Sequence, residues 1–63
     1  MIISRILDKK TVQLMLKGLR EAGLTVKKLD NGYECIAHDG TLLFRAMNGR
    51  NSYLVRMQDD LFA

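Results

Sequence analysis

Cys35 and His38 could together form a thiolate–imidazole pair for nucleophilic catalysis. Their spacing argues against that chemistry, because side chains three residues apart on a strand point to opposite faces of the sheet. A lone cysteine among apolar residues is typical of a core, and an imidazole beside a turn is typically solvated. The sequence also has no glycine-rich phosphate loop and no metal-ligand spacing. We therefore expect a protein that is not an enzyme and needs no cofactor or metal.

Oxygen ligands that could suit calcium occur in three Asx-Gly dipeptides: Asn31-Gly32, Asp39-Gly40 and Asn48-Gly49. A calcium-binding loop places its ligands at alternate positions within one segment, whereas these dipeptides are eight and nine residues apart. Asx-Gly is also the preferred central pair of a two-residue type I′ hairpin loop, in which both residues have positive φ. The dipeptides therefore predict three hairpin turns that join four antiparallel strands.

Counting outward from these turns predicts the strand registers and the two sheet faces. The pairs include, from the first turn to the third, Lys28 with Cys35, Glu34 with Arg45, Tyr33 with Ala46, Phe44 with Tyr53, and Leu43 with Leu54. Glu34 and Arg45 form a favourable cross-strand charge pair. One face is then almost wholly apolar and should be the core face: Val26, Tyr33, Cys35, Ala37, Leu42, Phe44, Ala46, Tyr53, Val55 and Met57. The third loop has an alternative, longer form that bulges through Arg50 and Asn51.

The segment from Lys9 to Ala22 predicts an amphipathic helix. Its apolar residues recur at helical spacing and share one face: Val12, Met15, Leu16, Leu19 and Ala22. Asp8 stands at the N-cap position, and Gly23 stands at the C′ position of a Schellman stop, in which Leu24 contacts Leu19. Gly18 inside the helix either allows close backbone approach or is simply tolerated at a cost of about 1 kcal/mol.

The order of these elements predicts an α+β fold. The segment from Met1 to Leu7 reads as a short strand, and the helix and the four-stranded antiparallel meander follow it. The apolar face of the helix should pack on the apolar face of the sheet. The first strand either lies parallel beside the first strand of the meander, through a right-handed crossover, or pairs with another chain. We expect one domain over residues 1–57 and a short tail over residues 58–63.

Length and composition narrow the classes of protein that this chain can belong to. A domain of 63 residues buries only about 60% of its unfolded surface, so it usually gains stability from disulfides, a metal or a partner chain. Cys35 is the single cysteine, which excludes an internal disulfide and predicts a reducing, cytoplasmic setting. No apolar run approaches the roughly 18 residues that a membrane span needs. We therefore expect a homo-oligomer that does not enter a membrane.

The second sheet face carries an apolar stripe that is a candidate dimer surface. In the predicted registers Ile36, Leu43 and Leu54 are direct neighbours, and Leu29 extends the line toward the edge. The alternative is that these are ordinary exposed aliphatic residues that stabilise the strands.

Basic residues predict a different function for the same surface. The net charge is +3, and the stripe is flanked by Lys27, Arg45 and Arg56, which could contact nucleic-acid phosphates. The helix offers a second basic set: Lys9, Lys10, Lys17 and Arg20. Against this reading, Tyr33, Phe44 and Tyr53 lie on the predicted core face and would be unable to stack on bases from the open face.

The last residues, QDDLFA, end the strand alternation with two acids followed by two large apolar groups. The pentapeptide QDDLF resembles the motif by which bacterial replication and repair proteins dock on the DNA sliding clamp. The resemblance implies that Gln58 fills a small polar pocket, that Asp60 takes the Ser/Asp position, and that Leu61 and Phe62 enter a hydrophobic cleft. Asp59 departs from the motif, because leucine is commoner there. The alternative is that Leu61 and Phe62 fold back on their own domain or on a dimer mate.

Three functional hypotheses follow from the sequence. The first is a small adaptor or regulator that binds another protein, such as the sliding clamp, through its tail or its sheet. The second is a basic accessory protein that binds nucleic acid. The third is a small self-associating domain whose partner the sequence does not identify, of the size common among bacterial and phage accessory proteins.

Overall fold

The computed structural model describes residues 1–62. Within that range the chain forms one helix and five strands: β1 (Ile2–Asp8), α1 (Lys9–Glu21), β2 (Val26–Leu29), β3 (Gly32–Ile36), β4 (Leu42–Asn48) and β5 (Ser52–Gln58). The strands form one sheet in the order β1-β5-β4-β3-β2, and each neighbouring pair is antiparallel. The predicted α+β class, with an N-terminal strand, a helix and an antiparallel meander, is confirmed.

The position of β1 differs from the predicted one. The parallel arrangement beside the first strand of the meander is wrong, because β1 lies at the opposite edge and pairs antiparallel with β5. Strand length gives a physical reason for this choice. β5 offers a seven-residue partner from Ile2↔Gln58 to Asp8↔Ser52, whereas β2 has four residues and would satisfy fewer backbone groups of β1.

The helix ends as the sequence predicts. Gly23 has a φ of 87°, and its N–H donates to the carbonyl of Arg20 at 3.0 Å. The N–H of Leu24 donates to the carbonyl of Leu19 at 3.1 Å, which completes the Schellman pattern. At the other end Asp8 occupies the N-cap position with extended backbone angles, but its side chain makes no capping hydrogen bond.

The hairpin between β3 and β4 has the predicted register in its central part. Tyr33↔Ala46, Glu34↔Arg45 and Cys35↔Phe44 are all cross-strand partners, so the predicted charge pair is confirmed. The register shifts by one residue after Cys35, where Ile36 pairs with Leu42, so the prediction that these two residues lie on opposite faces is wrong. The loop that follows is therefore longer than the predicted two residues. It is closed by a hydrogen bond from the N–H of Ala37 to the carbonyl of Thr41 at 2.9 Å.

The other two hairpins differ from their predicted registers. Lys28 pairs with Tyr33, which places the first turn at Asp30-Asn31. Leu54 pairs with Met47, which lengthens the last loop, in agreement with the longer alternative. A type I′ turn requires an Asx residue with positive φ, and within residues 1–62 every positive-φ residue is a glycine. The prediction of type I′ turns at the three Asx-Gly dipeptides is therefore wrong. Both registers move by an even number of residues, so each side chain keeps its predicted face.

Gly32 lies in β3 and not at the centre of a turn. A Cβ atom at this position would collide with the carbonyl oxygen of Ala46, and the adjacent carbonyl of Asn31 accepts a hydrogen bond from the N–H of Asn48 at 2.6 Å. The glycine thus permits a close approach of the β3 and β4 backbones. Gly32 is needed because there is no space for a side chain, whereas the Asx-Gly pattern predicts that it is needed for a positive φ in a turn.

The core contains buried residues of the helix and of the three central strands. Its buried residues form one cluster: Val12, Leu16, Leu19, Cys35, Phe44, Ala46, Tyr53 and Val55. All eight belong to the faces that the sequence assigns to the core. Tyr33 packs against this cluster, and its ring centroid lies 6.3 Å from that of Tyr53.

A pair of glycine substitutions tests the steric account of Gly32. We expect Gly32→Ala to lower the free energy of unfolding by about 1–3 kcal/mol, because the added methyl group must displace the β4 backbone. Gly18→Ala is the matched control, because nothing lies within 4 Å of a Cβ atom there, and it should raise the stability by about 1 kcal/mol. Urea unfolding of both variants measures the two changes. Equal effects at both positions would contradict the steric account.

Candidate functional site

The residues considered for catalysis are not arranged for it. Cys35 is fully buried, and burial raises the pKa of its thiol, which disfavours the nucleophilic thiolate. His38 is exposed in the loop after β3. Asp39 Oδ1 accepts a hydrogen bond from the N–H of Thr41 at 2.9 Å, which lowers the pKa of that carboxyl and closes the loop. Among the residues that the structure describes, no group of three potential ligands could hold a metal ion.

The sheet face opposite the core cluster carries three rows of side chains, and we call it the open face. The first row is apolar and crosses all five strands, from Ile6 on β1 through Leu54, Met47 and Gly32 to Leu29 on β2. Its most exposed members are Ile6 and Leu54, at 75% and 48% exposure. Large apolar groups exposed side by side on a small domain are typical of a contact surface.

The second row of the open face is polar and mostly basic. It runs from Ser4 through Arg56, Arg45 and Glu34 to Lys27. Glu34 lies 3.5 Å from Arg45 Nε, and that nitrogen is buried without a hydrogen-bond partner. Arg45 therefore lies between one compensating carboxylate and the like charge of Arg56. The row keeps a net positive charge that favours acidic groups.

The third row holds the remaining members of the predicted dimer stripe. Ile36 is 45% exposed, while Leu43 is half-buried and packs against the core cluster. The prediction that Ile36, Leu43 and Leu54 are direct neighbours is wrong. The longer last loop moves Leu54 opposite Met47, so the basic row now separates Leu54 and Leu29 from the other two residues.

Sequence reasoning missed Ile6 and Met47 as members of the open face. Met47 could have been found from strand alternation, because it shares a face with Arg45. Ile6 shares a face with Ser4, but assigning that face to the open side requires the partner of β1, which the sequence did not identify. An open groove of about 420 Å³ lies where β1 meets β5, and its lining residues are Ser4, Arg5, Ile6 and Leu54.

The C-terminal segment, residues 58–62, begins at the end of β5, and polar contacts hold its first two residues against the N-terminus of the chain. Gln58 Nε2 donates to the carbonyl of Leu42 at 3.1 Å, and Gln58 Oε1 accepts from the N-terminal ammonium group at 3.1 Å. The N–H of Asp59 donates to the carbonyl of Met1 at 3.0 Å, and the Asp59 carboxylate lies 3.5 Å from the ammonium group. Both polar atoms of the Gln58 side-chain amide thus form hydrogen bonds within the molecule.

The two apolar residues of the segment differ in exposure. Leu61 is half-buried and packs against the core cluster. Phe62 is 47% exposed, and its ring meets that of Phe44 edge to face, with centroids 6.4 Å apart. Asp60 is exposed. In this structure the segment therefore lies folded back on the domain, with one side of Phe62 and the Asp60 carboxylate open to solvent.

The basic residues of the helix lie apart from the open face. Lys9, Lys10, Lys17 and Arg20 are all exposed, and Lys17 Nζ lies 4.0 Å from the carboxylate of Glu21 one turn later. An exposed pair of this kind contributes little stability and marks a solvated helix surface.

Comparison of the chain with protein-family models, with curated protein sequences and with solved structures found no match. The helix of the described chain is too short and too polar to cross a membrane.

Truncation of the apolar tail residues measures how firmly the segment is held. We expect Leu61→Ala with Phe62→Ala to lower the free energy of unfolding by about 2–3 kcal/mol, less than two fully buried residues would cost, because Phe62 is half exposed. Asp60→Ala is the control and should change the stability by less than about 0.5 kcal/mol. Thermal and urea unfolding provide the measurement. An unchanged double variant would mean that the segment does not pack on the domain in solution.

Proposed function

We propose that this chain is a protein-interaction module without catalytic activity. In this proposal α1 covers the core face of the sheet, and the open face binds another protein. The observation that carries the proposal is the apolar row that crosses the sheet beside a basic row, with Ile6 and Leu54 as its most exposed members. A partner with apolar side chains and nearby carboxylates would match both rows.

The composition of the open face favours a protein over a nucleic acid as its partner. Apolar side chains flank the basic row on both sides, whereas phosphate backbones are usually contacted by continuous basic surfaces. Glu34 partly neutralises Arg45 at the centre of the row. Within residues 1–62 the tyrosines and Phe44 belong to the core side, where they could not stack on bases.

Affinity capture from a bacterial lysate treated with nuclease tests this proposal. We expect the unmodified chain to retain a partner protein, and Leu54→Lys to lose it, because the substitution places a charge in the apolar row between Ile6 and Met47. Lys17→Gln on the helix is the matched control and should retain the partner. The proposal fails if capture depends on nucleic acid, or if Leu54→Lys and the unmodified chain retain the same proteins.

We also propose a second candidate function, docking on a bacterial DNA sliding clamp through Gln58, Asp60, Leu61 and Phe62. The half-exposed ring of Phe62 and the exposed Asp60 favour it, because a partner could engage both before the segment is released. Binding would then exchange the contacts of Leu61 and Phe62 with their own core for contacts in the partner's cleft. The cost of that exchange predicts weak affinity.

Titration of purified bacterial sliding clamp with this chain separates the two candidates. Docking through the tail predicts saturable binding that is lost in Leu61→Ala with Phe62→Ala and is retained in Leu54→Lys. Docking through the open face predicts the reverse sensitivity. Absence of binding at near-millimolar concentration would remove the clamp as a partner and leave the open-face proposal untouched.

A further inference from the structure

The outer edge of β1 carries backbone groups that no neighbouring strand of the described chain pairs with, and the hydrogen-bond pattern identifies them. The N–H of Asp59 donates to the carbonyl of Met1, and hydrogen-bonded pairs alternate along an antiparallel ladder. The odd-numbered residues of β1 therefore bond to β5, and Ile2, Ser4 and Ile6 direct their N–H and C=O groups away from the sheet. Arg5 supplies independent support, because its Nη1 donates to the carbonyl of Ser4 at 2.9 Å.

The two edges of the described sheet differ in their capacity to bind another strand. β2 has four residues, and two of them are Lys27 and Lys28, the kind of charged residue that protects an edge from pairing. β1 has seven residues, and its apolar side chain Ile6 is the most exposed large hydrophobic of the strand. Long edges with exposed apolar groups are templates for strand addition. β1 is therefore the edge at which another chain can pair.

The sequence of β1 suits pairing with itself. In an antiparallel pair about a twofold axis at Ser4, Ile2 of each copy lies opposite Ile6 of the other, on the open face. Arg5 then lies opposite Ile3 of the second copy. A pair centred on Arg5 would instead bring two guanidinium groups directly together, which is destabilising. Charge and apolar matching therefore favour the register centred on Ser4 over the one centred on Arg5.

We infer that β1 pairs with β1 of a second copy of this chain in that register, which joins two five-stranded sheets into one. About six main-chain hydrogen bonds would form, because each outward-facing residue exchanges two with its partner. The Arg5 guanidinium must leave the Ser4 carbonyl, and the contact is small, so the dimer should be weak and concentration-dependent. This inference goes beyond the proposed partner binding, since it concerns the edge and not the face. It extends the open face across both copies.

Cysteine cross-linking tests the register directly. In the inferred dimer the Cα atoms of Ser4 and its counterpart lie about 5.5 Å apart, within disulfide range, whereas those of Ile6 and its counterpart lie about 14 Å apart. Under mild oxidation of the full chain, Ser4→Cys should form disulfide-linked dimers at least about tenfold faster than Ile6→Cys. The unmodified chain is the background control, because Cys35 is buried. Faster linking of Ile6→Cys, or no linking of Ser4→Cys at near-millimolar concentration, overturns the inference.

Proline substitution tests the backbone contact by a separate route. The Ser4 N–H faces outward, so Ser4→Pro should leave the β1–β5 ladder intact and weaken the dimer at least about thirtyfold, as expected for two lost hydrogen bonds at the axis. Lys28→Pro is the matched control, because its N–H faces outward at the β2 edge, and it should dimerise normally. Sedimentation measures association, and circular dichroism verifies folding. Retained dimerisation of folded Ser4→Pro overturns the inference.

Two further variants keep the result interpretable. If Ser4→Pro does not fold, Ile6→Lys replaces an exposed side chain and should weaken the dimer at least about tenfold, because the register places it opposite Ile2. An Ile6→Lys chain that dimerises as the unmodified chain does would overturn the inference. Leu54→Lys should dimerise within about threefold of the unmodified chain, since its backbone groups bond to β4. Its failure to capture a protein partner therefore reports on the open face alone.

Discussion

The pairing of β1 with β5 is the constraint on which the rest of the structure depends. All seven residues of β1 have a partner on β5, and the pairing brings the first strand of the chain against the last. It also makes α1 the connection between the two edges of the sheet, because the helix follows β1 at one edge and precedes β2 at the other. The cluster formed by Met1, Gln58 and Asp59 exists because of this pairing. The pairing of β1 with β5 thus accounts both for the contact between the two ends of the chain and for the position of the helix in the chain's path.

The same pairing decides which surface a partner would meet. Without β1, Leu54 would stand at a sheet edge, and its apolar row would end there. With β1 in place, Ile6 continues the row, and the basic row gains Ser4 beside Arg56. The C-terminal segment is affected as well, since the hydrogen bonds at Gln58 and Asp59 set the direction in which Leu61 and Phe62 return to the core.

Structural features that depend on neighbouring residues could be predicted well from the sequence, and features that depend on contacts between distant segments could not. The helix end could be predicted because Gly23 and its neighbours determine it within one turn. The faces of most strand residues could be predicted because alternation survives an even register shift, whereas the one-residue shift after Cys35 moved Leu42 from its predicted face. The loop lengths could not be predicted from the sequence. Gly32 and Gly49 each follow an Asn, which is the pattern of a turn, but the close approach of the backbones of Ala46 and Ser52 determines the role of these two glycines. The position of β1 depends on a partner that is distant in sequence. The open-face row therefore lacked Ile6, its most exposed residue.

The burial of Cys35 gives the molecule an internal probe of its own opening. Its side chain is buried in the core cluster on β3, the strand between β4 and β2, so a thiol reagent can reach it only when β3 separates from the core. When reclosing is faster than the reaction, the labelling rate reports the free energy of that separation. Because β3 lies far from the β1 edge, the probe would sense the stability of the β2–β3–β4 half of the sheet under native conditions, without denaturant and without an introduced label.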